Sequence, residues 1–293
     1  MTVQHTFPLE HLRIIGAACG VGAQDRACGD GAVAFHHSQA WHELEHHPQV
    51  DWGRTLFVAD DGKSVIARIA DFCRSLADEV GQVSVAAEFP VVIGGDHSVA
   101  VGTWSGVARA IGQPIGLLWI DAHLDSHTPE TTYSGAVHGM PLACLLGRGD
   151  KRLLNIGLQG AQVEAHHTVL LGPRSYEPEE MDFLRRMGVR IIESEEIERR
   201  GFVDCLDEAI NIVAGAQAGF GLTLDLDAID PRSAPGVGSP EPNGLPVDDV
   251  LMVIRRVAKM AALRALEIVE YNPARDLGGR TAHRIAALSR AVL

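Results

Sequence analysis

Residues 115–125 read IGLLWIDAHLD: an uncharged run, Ile115 to Ile120, breaks abruptly into Asp121, His123 and Asp125. A short apolar run that stops at polar residues reads as a buried strand. In an extended segment residues i, i+2 and i+4 point the same way, so the three ligand-type side chains can face one pocket. The same pattern recurs twice. FPVVIGGDHS (89–98) sets His97 just past the run Phe89 to Ile93, and FGLTLDLDAIDP (220–231) sets Asp225, Asp227 and Asp230 past the run Phe220 to Leu224.

Further apolar runs lie at Arg13 to Ala18, Leu153 to Leu158, Val189 to Ile192 and Ala265 to Val269, and each reads as a strand. Between them, apolar residues three and four apart (Val65, Ile66, Ile69, Phe72, Cys73, Leu76, Val80; then Val250, Leu251, Ile254, Val257, Ala261) mark helices packed on a sheet. Alternation of strand and helix predicts an α/β fold with a mainly parallel sheet covered on both faces. In such a sheet ligands bind beyond the carboxyl ends of the strands, where residues distant in sequence converge. One domain over residues 1–293 is the simpler reading, since no linker, repeat or low-complexity tract interrupts the chain. The loops at 128–139 and 231–244 are long for connections inside a domain and so are expected at the rim of a site.

The bulk numbers narrow the partners. A net charge of −13 repels nucleic acid and anionic membrane surfaces and favours a small cationic substrate, although acidic composition is also common in plain soluble enzymes. The five cysteines are scattered without a CxxC pair, which argues against a disulfide framework or a thiolate zinc site. The opening MTVQHTFPLEHLRIIG lacks a basic region followed by an apolar run, so a cytoplasmic location is the expectation.

A single DxD is usually a turn or a helix N-cap, and GGDHS alone could be a strand-to-helix turn capped by Asp96 or Ser98. Three such motifs at three strand ends are a different matter. His97, Asp121, His123, Asp125, Asp225 and Asp227 bring four carboxylates together, too much negative charge for a low-dielectric site without cations. Two divalent ions would neutralise it. The donors are mostly oxygen with two imidazoles, which suits Mn²⁺, with Ni²⁺, Co²⁺, Fe²⁺ and Zn²⁺ compatible.

In this order and at these separations GGDHS, DAHLD, SGAVHG, DLDAIDP and EIVEYNP resemble the ureohydrolase superfamily of arginases and agmatinases, with the loop PETTYSGAVHGMPLA nearer the arginase branch. The resemblance spans about the whole chain, from the Gly-rich loop GAACGVGAQDRACGDG onward. It implies a three-layer α/β/α fold, a pair of Mn²⁺ ions, and a homotrimer or homohexamer. By position it gives one ion to His97, Asp121, Asp125 and Asp225, and the other to His123, Asp121, Asp225 and Asp227. It also places Glu270 against a substrate guanidinium and makes His138 a proton shuttle, while Asp125 would orient the attacking hydroxide. A deacetylase with a related sheet would use one zinc with a Tyr and a His-His pair, and a non-catalytic relative would usually have lost ligands; here all six are present.

The chain departs from arginases where they meet the tail of L-arginine. Ala136 and His127 stand where those enzymes usually carry Asn, whereas Ser134 is retained. The segment GLQGAQVEAHH lacks the aspartate that commonly meets the substrate amino group, with Gln162 nearest by position. The expectation is a guanidino compound other than free L-arginine, such as a guanidino acid or modified arginine, with Ser134, His127 and Glu270 against it; L-arginine and formimidoylglutamate are the alternatives. Asp25 and Arg26 of the Gly-rich loop are candidates for the rim, or else a surface ion pair. The paired histidines (36–37, 46–47, 166–167) are assigned to the surface.

Overall fold

A computed structural model describes residues 11–293, so the first ten residues of the stretch read above for a targeting signal lie outside it. Eight parallel strands form one sheet in the order β2-β1-β3-β8-β7-β4-β5-β6. They are β1 Leu12–Ala18, β2 Val50–Phe57, β3 Phe89–Gly94, β4 Ile115–Ile120, β5 Val163–Leu171, β6 Arg190–Ile192, β7 Phe220–Asp225 and β8 Leu263–Val269.

Alternation along each strand divides the core into two halves. Ile14, Ile93, Leu118 and Leu224 pack on one face with the helices Phe202–Val213, Val247–Val257 and Arg280–Arg290. Ile15, Val92, Leu117 and Trp119 pack on the other with Val65–Val85, Ala100–Ile111 and Pro178–Met187. The result is a three-layer α/β/α arrangement, as a sheet of near-continuous apolar strands requires. Gly102 and Gly106 let Ala100–Ile111 seat closely on Val65–Val85, since a Cβ at either would fall within 3.0 Å of that helix's backbone.

β3 and β4 follow one another in sequence yet are separated in the sheet by β8 and β7. The chain therefore builds outward from the centre in both directions, and the carboxyl ends of these four strands surround the switch point where a crevice opens. Among the described residues no helix is long and apolar enough to cross a membrane.

Two strand assignments need correction. Leu153 to Leu158 is not a strand: Asp150 caps a short helix, Lys151–Leu154, and turns follow. The real strand is β5, whose first half is polar (Glu164, His166, His167) and only whose second half is fully buried, so it shows no clean apolar run. β2 was not expected at all. It is an edge strand with most side chains partly or fully exposed, and such strands carry little apolar signal.

Candidate metal centre

Each motif lies where its strand runs out. Past β3, Asp96 caps the next turn and accepts N–H bonds from Gly22 (2.8 Å) and Ser98 (3.0 Å), tying the Gly-rich loop to the turn that carries His97. Gly95 is required there, because a Cβ would sit 1.8 Å from the carbonyl oxygen of Cys19. Gly95 in turn accepts the backbone N–H of Glu270 at 2.7 Å, which pins the end of β8 beside the end of β3.

Past β4 and β7 the aspartates are held by their own backbone. Asp121 accepts the N–H of His123 (2.7 Å) and the indole N–H of Trp119 (2.8 Å), and Asp225 accepts the N–H of Asp227 (2.8 Å). Trp119 also stacks on the His97 ring with centroids 4.2 Å apart. Asp125 and Glu270 both adopt positive φ, 48° and 64°, a conformation that costs free energy in a non-glycine residue and clusters at functional sites.

The six residues singled out by the motifs converge. His97 Nδ1 lies 2.9 Å from Asp125, 3.1 Å from Asp121 and 3.2 Å from Asp225. His123 Nδ1 lies 3.2 Å from Asp227 and 3.5 Å from Asp121. His97, Asp121 and Asp225 form one group able to surround a cation, and Asp121, His123 and Asp227 form a second, so Asp121 is common to both. Asp225 falls in the His97 group.

The electrostatics are those of a cation site. Burial, then the neighbouring Asp227 and Asp121, pushes the Asp225 carboxyl well above its ordinary pKa; burial and Asp121 push Asp125 up to about 6, and burial raises Asp227. Burial alone would lower both imidazoles, but the surrounding carboxylates hold His97 and His123 well above the usual value. The His97 Nδ1 is buried among three carboxylates without a well-formed hydrogen bond. Such a set of crowded acceptors and one aimed imidazole nitrogen fits metal ions.

A cleft of about 340 Å³ opens over this cluster and is lined by His123, Asp125, Asp225, Asp227, His138 and Glu270. Its outer wall carries His127, Ser134, Ala136, Glu177 and Glu180. The loop bearing His138 is anchored to the Gly-rich loop by N–H bonds from Val137 and His138 to the Gly22 carbonyl, at 2.9 and 3.3 Å. His138 Nδ1 donates to Glu270 Oε1 at 3.0 Å.

Sequence reading missed Glu177 and Glu180. They open the helix after β5 as a capping box, and His127 Nε2 lies 3.1 Å from one and 3.5 Å from the other. Their signal is EPEE (177–180), a capping box that opens a helix, whereas a strand at 153–158 would put the substrate-tail residues within 157–167. Gln162 does not line the cleft: its side chain bonds Leu158 and Gly160, and its backbone carbonyl accepts the N–H of Ile115 at the start of β4. Asp25 and Arg26 do not line the cleft either; Asp25 pairs with Arg275 at 3.0 Å and Arg26 is exposed. All five cysteines are buried and free.

The family model described as "Arginase family" matches residues 10–293. The chain belongs to the arginase family. An arginase from Bacillus caldovelox is 33% identical over 290 residues, covering 96% of this chain and 97% of that one. The crystal structure of arginase from Bacillus cereus superposes with a TM-score of 0.89 at 31% identity, covering 97% and 98% of the two chains. The structure of formimidoylglutamase from Bacillus subtilis, 19% identical, has the same fold with a TM-score of 0.79 over 97% of this chain and 86% of that one. As an arginase-family member the chain is a metal-dependent hydrolase of the ureohydrolase type, and the family's fold is the one described above.

Proposed function

We propose that this arginase-family chain hydrolyses a guanidino compound other than free L-arginine to urea and an amine, using two Mn²⁺ ions. The observation that carries it is the convergence of His97, Asp121, His123, Asp125, Asp225 and Asp227 under one cleft, with Asp121 in both cation-binding groups. One ion would be held by His97, Asp121, Asp125 and Asp225, the other by His123, Asp121, Asp225 and Asp227. When bound, such a pair lowers the pKa of water so that a nucleophile exists near neutral pH.

The chain's own groups supply the rest. Glu270 has one oxygen engaged, Oε1, by the His97 N–H at 2.9 Å and by His138, which leaves Oε2 to orient a guanidinium. Asp125 holds the nucleophile in line and takes its proton. Attack makes the guanidinium carbon tetrahedral, and its collapse needs a proton on the leaving amine, which His138 delivers from its place on the cleft wall.

The outer wall supports a tail unlike that of L-arginine. Ala136 has no side-chain donor, and His127 has both ring nitrogens engaged, Nδ1 with Thr131 at 3.1 Å and Nε2 with Glu177. None of the described residues lining the cleft is Lys or Arg, while Glu177 and Glu180 stand on its wall. Burial pushes the Glu180 carboxyl up to about 8, whereas Glu177, against burial, is held low by Glu180 and His127. A free carboxylate at this outer wall would meet the Glu177 charge with no Lys or Arg beside it, so the modified-arginine class, with its carboxylate masked or absent, is favoured over a free guanidino acid. L-arginine is the second reading, favoured by the likeness to arginases and by Ser134 at the rim. The same account expects a cytoplasmic homotrimer or homohexamer.

Urea release by the Mn²⁺-loaded protein tests this across arginine, arginine amide, agmatine and guanidino acids. Urea from a carboxylate-free compound in preference to arginine, abolished by Asp125→Asn, is the expected result. Arginine preferred over all others makes the chain an arginase, and two bound ions with no urea from any compound overturns the guanidino reading.

A further inference from the structure

Behind the His97 imidazole, on the side away from the metal pocket, lies a buried carboxylate that the reaction does not touch. His97 Nε2 is 3.3 Å from Thr223 Oγ1, and Thr223 donates to Glu267 Oε2 at 2.6 Å. Thr223 on β7 and Glu267 on β8 are register partners, so the sheet itself fixes their contact. His97, Thr223 and Glu267 are all fully buried.

Glu267 is out of place in a core strand. Its neighbours in sequence, Leu266 and Ile268, pack in the apolar core, and no Lys or Arg is paired with it among the described residues. Thr103 and Trp104 lie against the carboxylate, yet Glu267 Oε1 and Trp104 Nε1 complete no hydrogen bond. Burying a carboxylate so poorly paired costs free energy that an apolar residue at this position would avoid. Among the described residues, the one basic group whose charge acts on it is His97.

The direction of the hydrogen bonds follows from the inventory of donors. The Thr223 hydroxyl donates to Glu267 Oε2, and having only one proton it is left to accept from His97 Nε2–H. That fixes a proton on Nε2 and leaves Nδ1, facing Asp121, Asp125 and Asp225, as the nitrogen free to give up its proton and ligate a cation. His123 has no such backing: its Nε2 faces the partly exposed Glu241 at 3.8 Å and its side chain is 26% exposed. The two imidazoles thus differ in support, which supplies an internal control.

We propose that Glu267 is a positioning residue that acts through Thr223 to fix the His97 tautomer, and so strengthens the binding of the ion held by His97 selectively over the ion held by His123. This rests on the two-metal part of the proposed function and on nothing about the substrate.

The test is Mn²⁺ titration of the metal-free full-length chain, followed by calorimetry and by the electron paramagnetic signal of free and bound ion. Glu267→Gln and Thr223→Val should each weaken one of the two ions by roughly 10–100-fold and leave the other within about twofold. The double variant should be no weaker than the worse single one, and Thr223→Ser, which keeps the hydroxyl, should restore binding. In a His123→Asn background the loss should persist; in a His97→Asn background it should vanish. Thr223→Val and Thr223→Ser carry the test if Glu267→Gln does not fold. Two ions bound with no selective loss, or an equal loss of both, overturns this proposal alone. A wild-type chain that binds fewer than two ions overturns it together with the proposed function, whereas absence of urea does not bear on it.

Discussion

The His138 imidazole donates from Nδ1 to Glu270 Oε1 at 3.0 Å, and that same oxygen accepts the backbone N–H of His97. One carboxylate thereby couples the loop that carries the proposed proton donor to the turn that carries a proposed metal ligand. The contact also sets the state of the donor. Burial alone would lower the His138 pKa, but the bond to Glu270 and its charge raise it to about 9.

His138 is therefore protonated throughout neutral pH and loses its proton as pH rises through about 9. If the imidazolium delivers the proton to the leaving amine, kcat should fall along that alkaline limb. Glu270→Gln removes the charge that raises the pKa, so the limb should move to lower pH. His138→Asn should reduce kcat by roughly 100-fold or more while leaving metal content unchanged. A kcat–pH profile with no alkaline limb in the wild type would count against the assignment.

Specificity should respond to the outer wall. His127→Asn with Ala136→Asn restores the residues that arginases usually carry and frees two donors for a carboxylate. The pair should raise kcat/KM for L-arginine relative to a carboxylate-free guanidine by about tenfold, on the order of one well-made hydrogen bond. Steady-state kinetics on both substrates checks this, and an unchanged ratio would show that the wall does not read the tail.

Removing the metals should invert the ordinary dependence of stability on pH. Burial raises the pKa of Asp125, Asp225 and Asp227, and neighbouring carboxylates, against the opposing effect of burial, raise those of His97 and His123. The folded metal-free state then binds more protons than the unfolded one, so its stability falls as pH rises from about 6 toward 8. Asp121 is lowered, because its histidine partners outweigh burial, and its contribution is already complete above about pH 4. Thermal melts in chelator should thus show a higher midpoint at pH 6 than at pH 8, and Mn²⁺ should stabilise most at pH 8, where protons compete least. Equal midpoints in chelator would mean that the cluster is not coupled to folding.

Much of this was legible because the central strands are buried on both faces. β3, β4 and β7 show as nearly continuous apolar runs, and the abrupt change to Asp, His and Gly marks where each leaves the core, while β8 shows as an apolar run broken by Arg264 and Glu267. β2 and the first half of β5 lie toward the sheet edges, where polar side chains break the pattern, and the error at β5 hid Glu177 and Glu180. The Thr223–Glu267 pair could not be read from sequence, because it exists only through the register of β7 on β8. Glu267 within LRALEIV was nonetheless a visible anomaly, a charge in the middle of a core strand.

The most direct test of the central claim is the number of Mn²⁺ ions bound per chain in the wild type, Asp121→Asn and Asp227→Asn, measured on dialysed protein. Because Asp121 belongs to both cation-binding groups and Asp227 only to the His123 group, the account predicts two ions in the wild type, weakened binding of both in Asp121→Asn, and loss of one in Asp227→Asn. A single ion in the wild type, or two ions indifferent to Asp121, would contradict it.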